Sequence, residues 1–170
     1  MKILTLCTGN VARSVMLAYM LSDLAEVEGR SWRVRSAGTH VAAGQAMSAR
    51  TRAALEKVPE LGEHRYGAHR SHQVDVADLE WADVILAAEL GHVRYVECLV
   101  ADVSRAVQLG AFAAYAPAGF DIAEQLREVA RHPGDASLDV RDPAGGDQAD
   151  YDACASELWR LARRFAELVD

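Results

Sequence analysis

A thiol and a guanidinium stand six positions apart, Cys7 and Arg13, at the ends of the stretch Thr8-Gly9-Asn10-Val11-Ala12, with Ser14 directly after. The apolar run Ile3-Leu4-Thr5-Leu6 before them reads as a strand, and the residues from Ser14 onward read as a helix. A cysteine at a strand-to-helix turn sits among backbone N–H groups near the positive end of the helix dipole, surroundings that stabilise a thiolate. An arginine folded over the same loop offers a planar fork to the oxygens of a phosphate-like dianion. Nucleophile and anion clamp on one loop point to covalent attack on phosphorus. Gly9 and Asn10 both tolerate the positive φ that turns loop amides inward, and the Asn10 side chain can tie the loop together. Ser14 is placed either to cap the helix or to donate its hydroxyl to the Cys7 sulfur. Thr8, Gly9, Asn10, Val11, Ala12, Arg13 and Ser14 are therefore the expected substrate cradle. A buried structural cysteine on a turn is the competing reading; the strand–loop–helix context and the Gly-Asn interior weigh against it.

The elements that must carry this loop follow from apolar spacing. Leu17, Met20, Leu21 and Leu24 predict a helix over 14–28 with Gly29 as its stop. Trp32-Arg33-Val34-Arg35 alternates as a half-buried edge strand does, and 48–57 reads as helical. The continuous apolar run 84–88 matches a central parallel strand, followed by a helix over 90–100 and a fourth strand over 106–109. Tyr151, Ala155, Leu158, Ala162 and Phe165 mark a terminal helix. Strands alternating with helices predict an α/β fold, a doubly wound four-stranded parallel sheet with helices on both faces. In such sheets ligands bind beyond the carboxyl ends of the strands, where the Cys7 loop falls.

A chain of 170 residues, 51% hydrophobic, fits one domain spanning 1–170. Its net charge of −7, from 25 acidic and 18 basic residues with only Lys2 and Lys57 as lysines, argues against nucleic-acid or anionic-membrane partners. Any phosphate site must then be locally positive, through Arg13 and the loop amides, with His69 and Arg70 as further candidates. The Ala-rich stretch 106–120 is interrupted by Gln108, Gly110, Pro117 and Gly119, so no membrane span is expected. Met1-Lys2 runs straight into the first strand with no leader pattern, and three cysteines suit free thiols, so a cytoplasmic monomer is expected. No Cys/His spacing suggests a metal site, and no cofactor is implied.

The stretch Cys7–Ser14, C-x5-R-S with Gly-Asn inside, resembles the signature loop of the low-molecular-weight protein tyrosine phosphatases. The likeness extends to Ser36-Ala37-Gly38-Thr39 followed by Gly44, to His69-Arg70-Ser71-His72-Gln73, and to Val140-Arg141-Asp142-Pro143. It implies a strand order 2-1-3-4 and a phosphocysteine intermediate at Cys7. Asp142 is then the general acid for the leaving oxygen and later the base for water, on a backbone that Pro143 keeps extended. Asn10, Ser14 and His69 become supporting residues, with His69 hydrogen-bonded to the loop through Asn10 or Ser14. His72 and His92 are given no role, and Cys98 and Cys154 read as ordinary semi-buried thiols on helices.

Three positions depart from the family pattern. Ala12 stands where many members carry a second cysteine able to shield the nucleophile, and Val15 replaces the usual proline. Ala144-Gly145-Gly146 and His40-Val41-Ala42 stand where aromatic walls usually flank the site, and His40 alone can stand in for one. Each lost aryl contact removes about 1 kcal/mol. The expected activity is cysteine-dependent hydrolysis of a phosphorylated protein or a small phosphomonoester, of the tyrosine phosphatase kind. One rival is an arsenate reductase that passes arsenic to a small-molecule thiol; a thioredoxin-coupled version lacks a cysteine partner near Cys98. Another is a non-catalytic phosphate-binding module, against which the retained nucleophile, clamp and acid all argue.

Overall fold

The computed structural model describes residues 1–62, 64 and 66–169. Its sheet places β1 (Lys2–Cys7) between β2 (Arg33–Gly38) and β3 (Val84–Ala87), with β4 (Ala106–Gln108) outside β3. The order β2-β1-β3-β4 is the expected 2-1-3-4, and every pairing is parallel. Period-two alternation sorts β1 between two cores. Ile3 and Cys7 face the larger core, built with α1 (Arg13–Val27), α2 (Ala49–Glu56), α5 (Leu109–Tyr115), α6 (Ile122–Val129) and α7 (Gln148–Leu168). Leu4 and Leu6 face the smaller one, built with α3 (Val76–Trp81) and α4 (Leu90–Leu99). Both faces of the sheet are covered, so its strands are buried apolar runs.

Several boundaries differ from the sequence expectation, each for a local reason. The second strand continues past Arg35 to Gly38 because it pairs with β1 along its whole length, from Lys2↔Arg33 to Cys7↔Gly38. The fourth strand stops at Gln108, and Leu109 opens α5 without a connecting loop. The terminal helix begins at Gln148, ahead of Tyr151, because the Asp147 side chain accepts from the amides of Ala149 and Asp150. Among the described residues no helix is long and apolar enough to cross a membrane.

The carboxyl ends of β1 and β2 meet closely enough to dictate a residue type. A Cβ on Gly38 would stand 2.5 Å from the Thr8 carbonyl oxygen and 3.0 Å from the Asn10 nitrogen. Glycine is required there because the loop backbone lies directly on the end of β2.

Candidate active site

The loop between β1 and α1 is organised around Asn10, the only non-glycine residue at positive φ (51°) among the described residues. The left-handed turn falls on Asn10 and not on Gly9. The Asn10 Nδ2 donates to Ser14 Oγ at 3.0 Å and to Ser36 Oγ at 2.9 Å. Its Oδ1 accepts from the His72 backbone N at 2.9 Å, and its carbonyl accepts from His69 Nε2 at 2.8 Å. Both Nδ2 protons, the side-chain oxygen and the backbone carbonyl of fully buried Asn10 are thereby used. His69 reaches the loop through Asn10, one of the two expected routes. His72 contributes its backbone to the same hub, a role its side chain gave no sign of.

Ser14 Oγ lies 3.0 Å from Cys7 Sγ. A thiolate only accepts, so against the ionised sulfur the Ser14 hydroxyl is the donor, and Ser14 lies inside α1 and not at its cap position. The start of α1 carries no side-chain cap, because the residue there is Ala12. Its first-turn N–H groups face the loop, the arrangement that receives an anion at a helix N-terminus.

Arg13 is 2% exposed, a buried charge that needs compensation. Nη1 donates to the Val140 carbonyl at 3.0 Å and forms a short ion pair with Glu89 Oε1. Nη2 donates to Asp142 Oδ2 at 2.6 Å and approaches Thr8 Oγ1 at 3.4 Å. Asp142 thus sits against the clamp of the nucleophile loop. Its other oxygen accepts from the Ala144 backbone N at 3.0 Å. The segment is tied down by the Val140 N–H on the Ala88 carbonyl and by Asp139 Oδ1, which accepts from Leu90 N and Gln108 Nε2.

Glu89, the second carboxylate on Arg13, was not anticipated. The signal available was its position just beyond the carboxyl end of the third strand, beside the end of the first. His92 was also left without a role; its Nε2 lies 2.9 Å from Thr8 Oγ1. Arg70 donates to the Gly67 and His69 carbonyls and not to the loop. His40 stacks edge-on against Tyr95, with ring centroids 5.3 Å apart, and its backbone N donates to the Thr8 carbonyl.

Burial pushes the Cys154 thiol up to about 12, so it remains protonated, lining a cavity of about 120 Å³ beside Asp142 and Pro143. Cys98 is exposed on α4, less covered than a semi-buried thiol. His72, Asp75 and Asp78 cluster at the start of α3, where Asp75 and Asp78 form its capping box. A concavity of about 670 Å³ between α5 and α7 holds none of the loop residues. Chemistry, not size, locates the site.

A strand–loop–helix that presents a thiol under a buried, carboxylate-held arginine defines a cysteine-based phosphatase. The chain belongs to the low molecular weight phosphotyrosine protein phosphatase family, which it matches over residues 2–170. It is 33% identical over 170 residues to the protein-arginine-phosphatase of Geobacillus stearothermophilus, covering 98% of this chain and 94% of that relative. The solved YwlE arginine phosphatase from Geobacillus stearothermophilus is similar at a TM-score of 0.75 and 28% identity, over 98% of this chain and 90% of that one. A low molecular weight protein tyrosine phosphatase from T. tengcongensis gives a TM-score of 0.78 at 25% identity over 98% of both chains.

Proposed function

We propose that the chain hydrolyses phosphorylated protein side chains through a phosphocysteine at Cys7, with Arg13 as clamp and Asp142 as acid and then base. The observation that carries this is the convergence of Cys7, Ser14, Arg13 and Asp142 at the carboxyl end of β1. In the first step the Sγ–P bond forms and the bond from phosphorus to the leaving atom breaks, while Asp142 gives that atom its proton. In the second, Asp142 takes a proton from water as the water oxygen bonds to phosphorus. The S–P bond then breaks and the thiolate returns to the Ser14 hydroxyl, releasing inorganic phosphate.

Arg13 Nη2 pairs directly with Asp142, so a dianion bound on that edge of the guanidinium takes the place of the carboxylate. Arg13 and the loop amides then bind the equatorial oxygens, most strongly as charge redistributes in the transition state.

The first substrate reading is an aryl phosphate such as phosphotyrosine. Val11 gives the loop an apolar side chain, and the His40–Tyr95 pair supplies ring surface next to Thr8. The second is phosphoarginine, favoured by the name of the 33% identical relative and by Glu89 and Asp142, carboxylates suited to a guanidinium leaving group. Matched phosphotyrosyl and phosphoarginyl peptides, with arsenate plus a small thiol as a third arm, separate these readings. Cys7→Ser is expected to abolish turnover on every productive substrate without unfolding the protein. A tenfold or greater ratio of kcat/KM between the two peptides assigns the leaving group; near-wild-type turnover by Cys7→Ser overturns the mechanism.

A further inference from the structure

His92 is 4% exposed on the first turn of α4, inside the site but outside the reaction steps above. Its Nδ1 lies 3.1 Å from the Glu89 backbone N, and its Nε2 lies 2.9 Å from Thr8 Oγ1. A backbone N–H only donates, so Nδ1 accepts and the ring proton resides on Nε2. Nε2–H therefore donates to the Thr8 hydroxyl oxygen. The same oxygen is 3.4 Å from Arg13 Nη2, a second group that only donates. A hydroxyl has two acceptor sites and one proton, and here both acceptor sites face donors. The Thr8 proton is left pointing away from them. Thr8 directly follows the nucleophile and shares Arg13 Nη2 with Asp142.

We propose that the Thr8 hydroxyl donates a hydrogen bond to the bound phosphoryl group, and that His92, fixed in one tautomer by the Glu89 amide, is the positioning residue that sets its direction. The inference rests on the phosphatase reading and adds a side-chain donor to the loop amides and Arg13. The charged groups facing His92 are Glu89 at the start of its own helix, Arg13 from α1, and Asp139 and Asp142 from the segment before α7. Burial is the largest influence and lowers the His92 pKa; Glu89 opposes it, Arg13 reinforces it, and the two aspartates oppose it. The neutral ring is therefore the working form at pH 7. Protonation would set an N–H on Nδ1 against the N–H of Glu89, removing the bond that orients the ring. The relay operates above the His92 pKa and is lost below it.

The test uses p-nitrophenyl phosphate and inorganic phosphate. At pH 7.5, Thr8→Val is expected to lower kcat/KM about tenfold, the size of one hydrogen bond to a charged group. His92→Leu should lower it about fivefold, and the double variant should be no worse than Thr8→Val, since both remove one interaction. Thr8→Ser and His92→Gln, which return a hydroxyl and an N–H donor, should recover most of the loss. The ratio of wild-type to His92→Gln kcat/KM should fall as the pH drops from about 7.5 to 5, because glutamine does not titrate and the shared ionisations cancel. Calorimetric titration of phosphate into Cys7→Ser, with and without Thr8→Val, should show about fivefold weaker binding in the double variant, with no turnover needed. Wild-type kcat/KM and unchanged phosphate affinity in Thr8→Val overturn the inference and leave the phosphatase reading standing. Should Thr8→Val fail to fold, a wild-type to His92→Gln ratio that is flat with pH overturns it alone. Turnover that survives Cys7→Ser instead overturns the reading on which it rests.

Discussion

The loop 7–14 and the segment 139–146 meet at Arg13, and they are held there in opposite ways. Within the loop, Cys7, Asn10, Ala12, Arg13 and Ser14 are all buried, and the polar side chains among them are hydrogen-bonded to one another or to neighbouring elements. In the acid segment only Val140 and Pro143 are buried, and Asp142 between them keeps a side chain 42% exposed. The difference follows from the work each does. Donors that stabilise a developing charge act best when already fixed, since reorienting them during reaction costs energy. In the mechanism proposed above the carboxyl exchanges Arg13 for the leaving atom and then for water, a part that suits a side chain held by its neighbours and left free to change partner. The nucleophile half is built as a fixed frame and the acid half as a supported arm.

The sharpest way to break this contrast is to remove the arm alone. Asp142→Ala is expected to lower kcat by about 10²–10⁴-fold. Phosphate affinity should be retained or improved, because the carboxylate that competes for Arg13 is gone; parallel kinetics and calorimetry report both. Breaking the frame has a different signature. Asn10→Ala deletes three side-chain hydrogen bonds and leaves a non-glycine residue at positive φ, so it should cost about 2–4 kcal/mol in urea unfolding while also depressing turnover. Loss of activity in Asn10→Ala with unchanged stability would show that the loop is not pre-built.

The smallest effect sharpens the comparison through pH. His69 on the frame and His92 beside it both have pKa values lowered from 6.5, in each case chiefly by burial. The unfolded chain then binds protons that the folded chain refuses, so stability rises with pH. It should be complete above 6.5 and lost progressively as the pH falls toward the folded-state values. His69→Gln, which keeps a donor for the Asn10 carbonyl but cannot titrate, should flatten part of that slope in urea midpoints measured from pH 7.5 to 5.5.

What could be read from the sequence tracks how local each feature is. Cys7, Arg13 and Ser14 were legible because chemistry, loop and flanking periodicity share one short stretch. Asp142 needed the Pro143 context and the resemblance, and its pairing with Arg13 is visible only in the structure. The Gly38 requirement has a cause visible only in space, the loop backbone resting on the end of β2. Glu89 and the Thr8–His92 contact were missed because strand order puts β3 beside β1 but does not say which side chains beyond its end reach the loop. α5 and α6, seven and eight residues long, were missed because two turns carry too little periodicity to read.

The separation between Arg13 and Asp142, 129 residues along the chain, also sets a clock on synthesis. At about 5–20 residues per second, a ribosome delivers the thiol and its arginine on the order of ten seconds before the carboxyl that completes them. During that interval the guanidinium lacks the Val140 carbonyl and Asp142, and α1 lacks α7, which packs against it. A nascent chain thus carries its reactive sulfur early and becomes competent late, only when its last helix has docked.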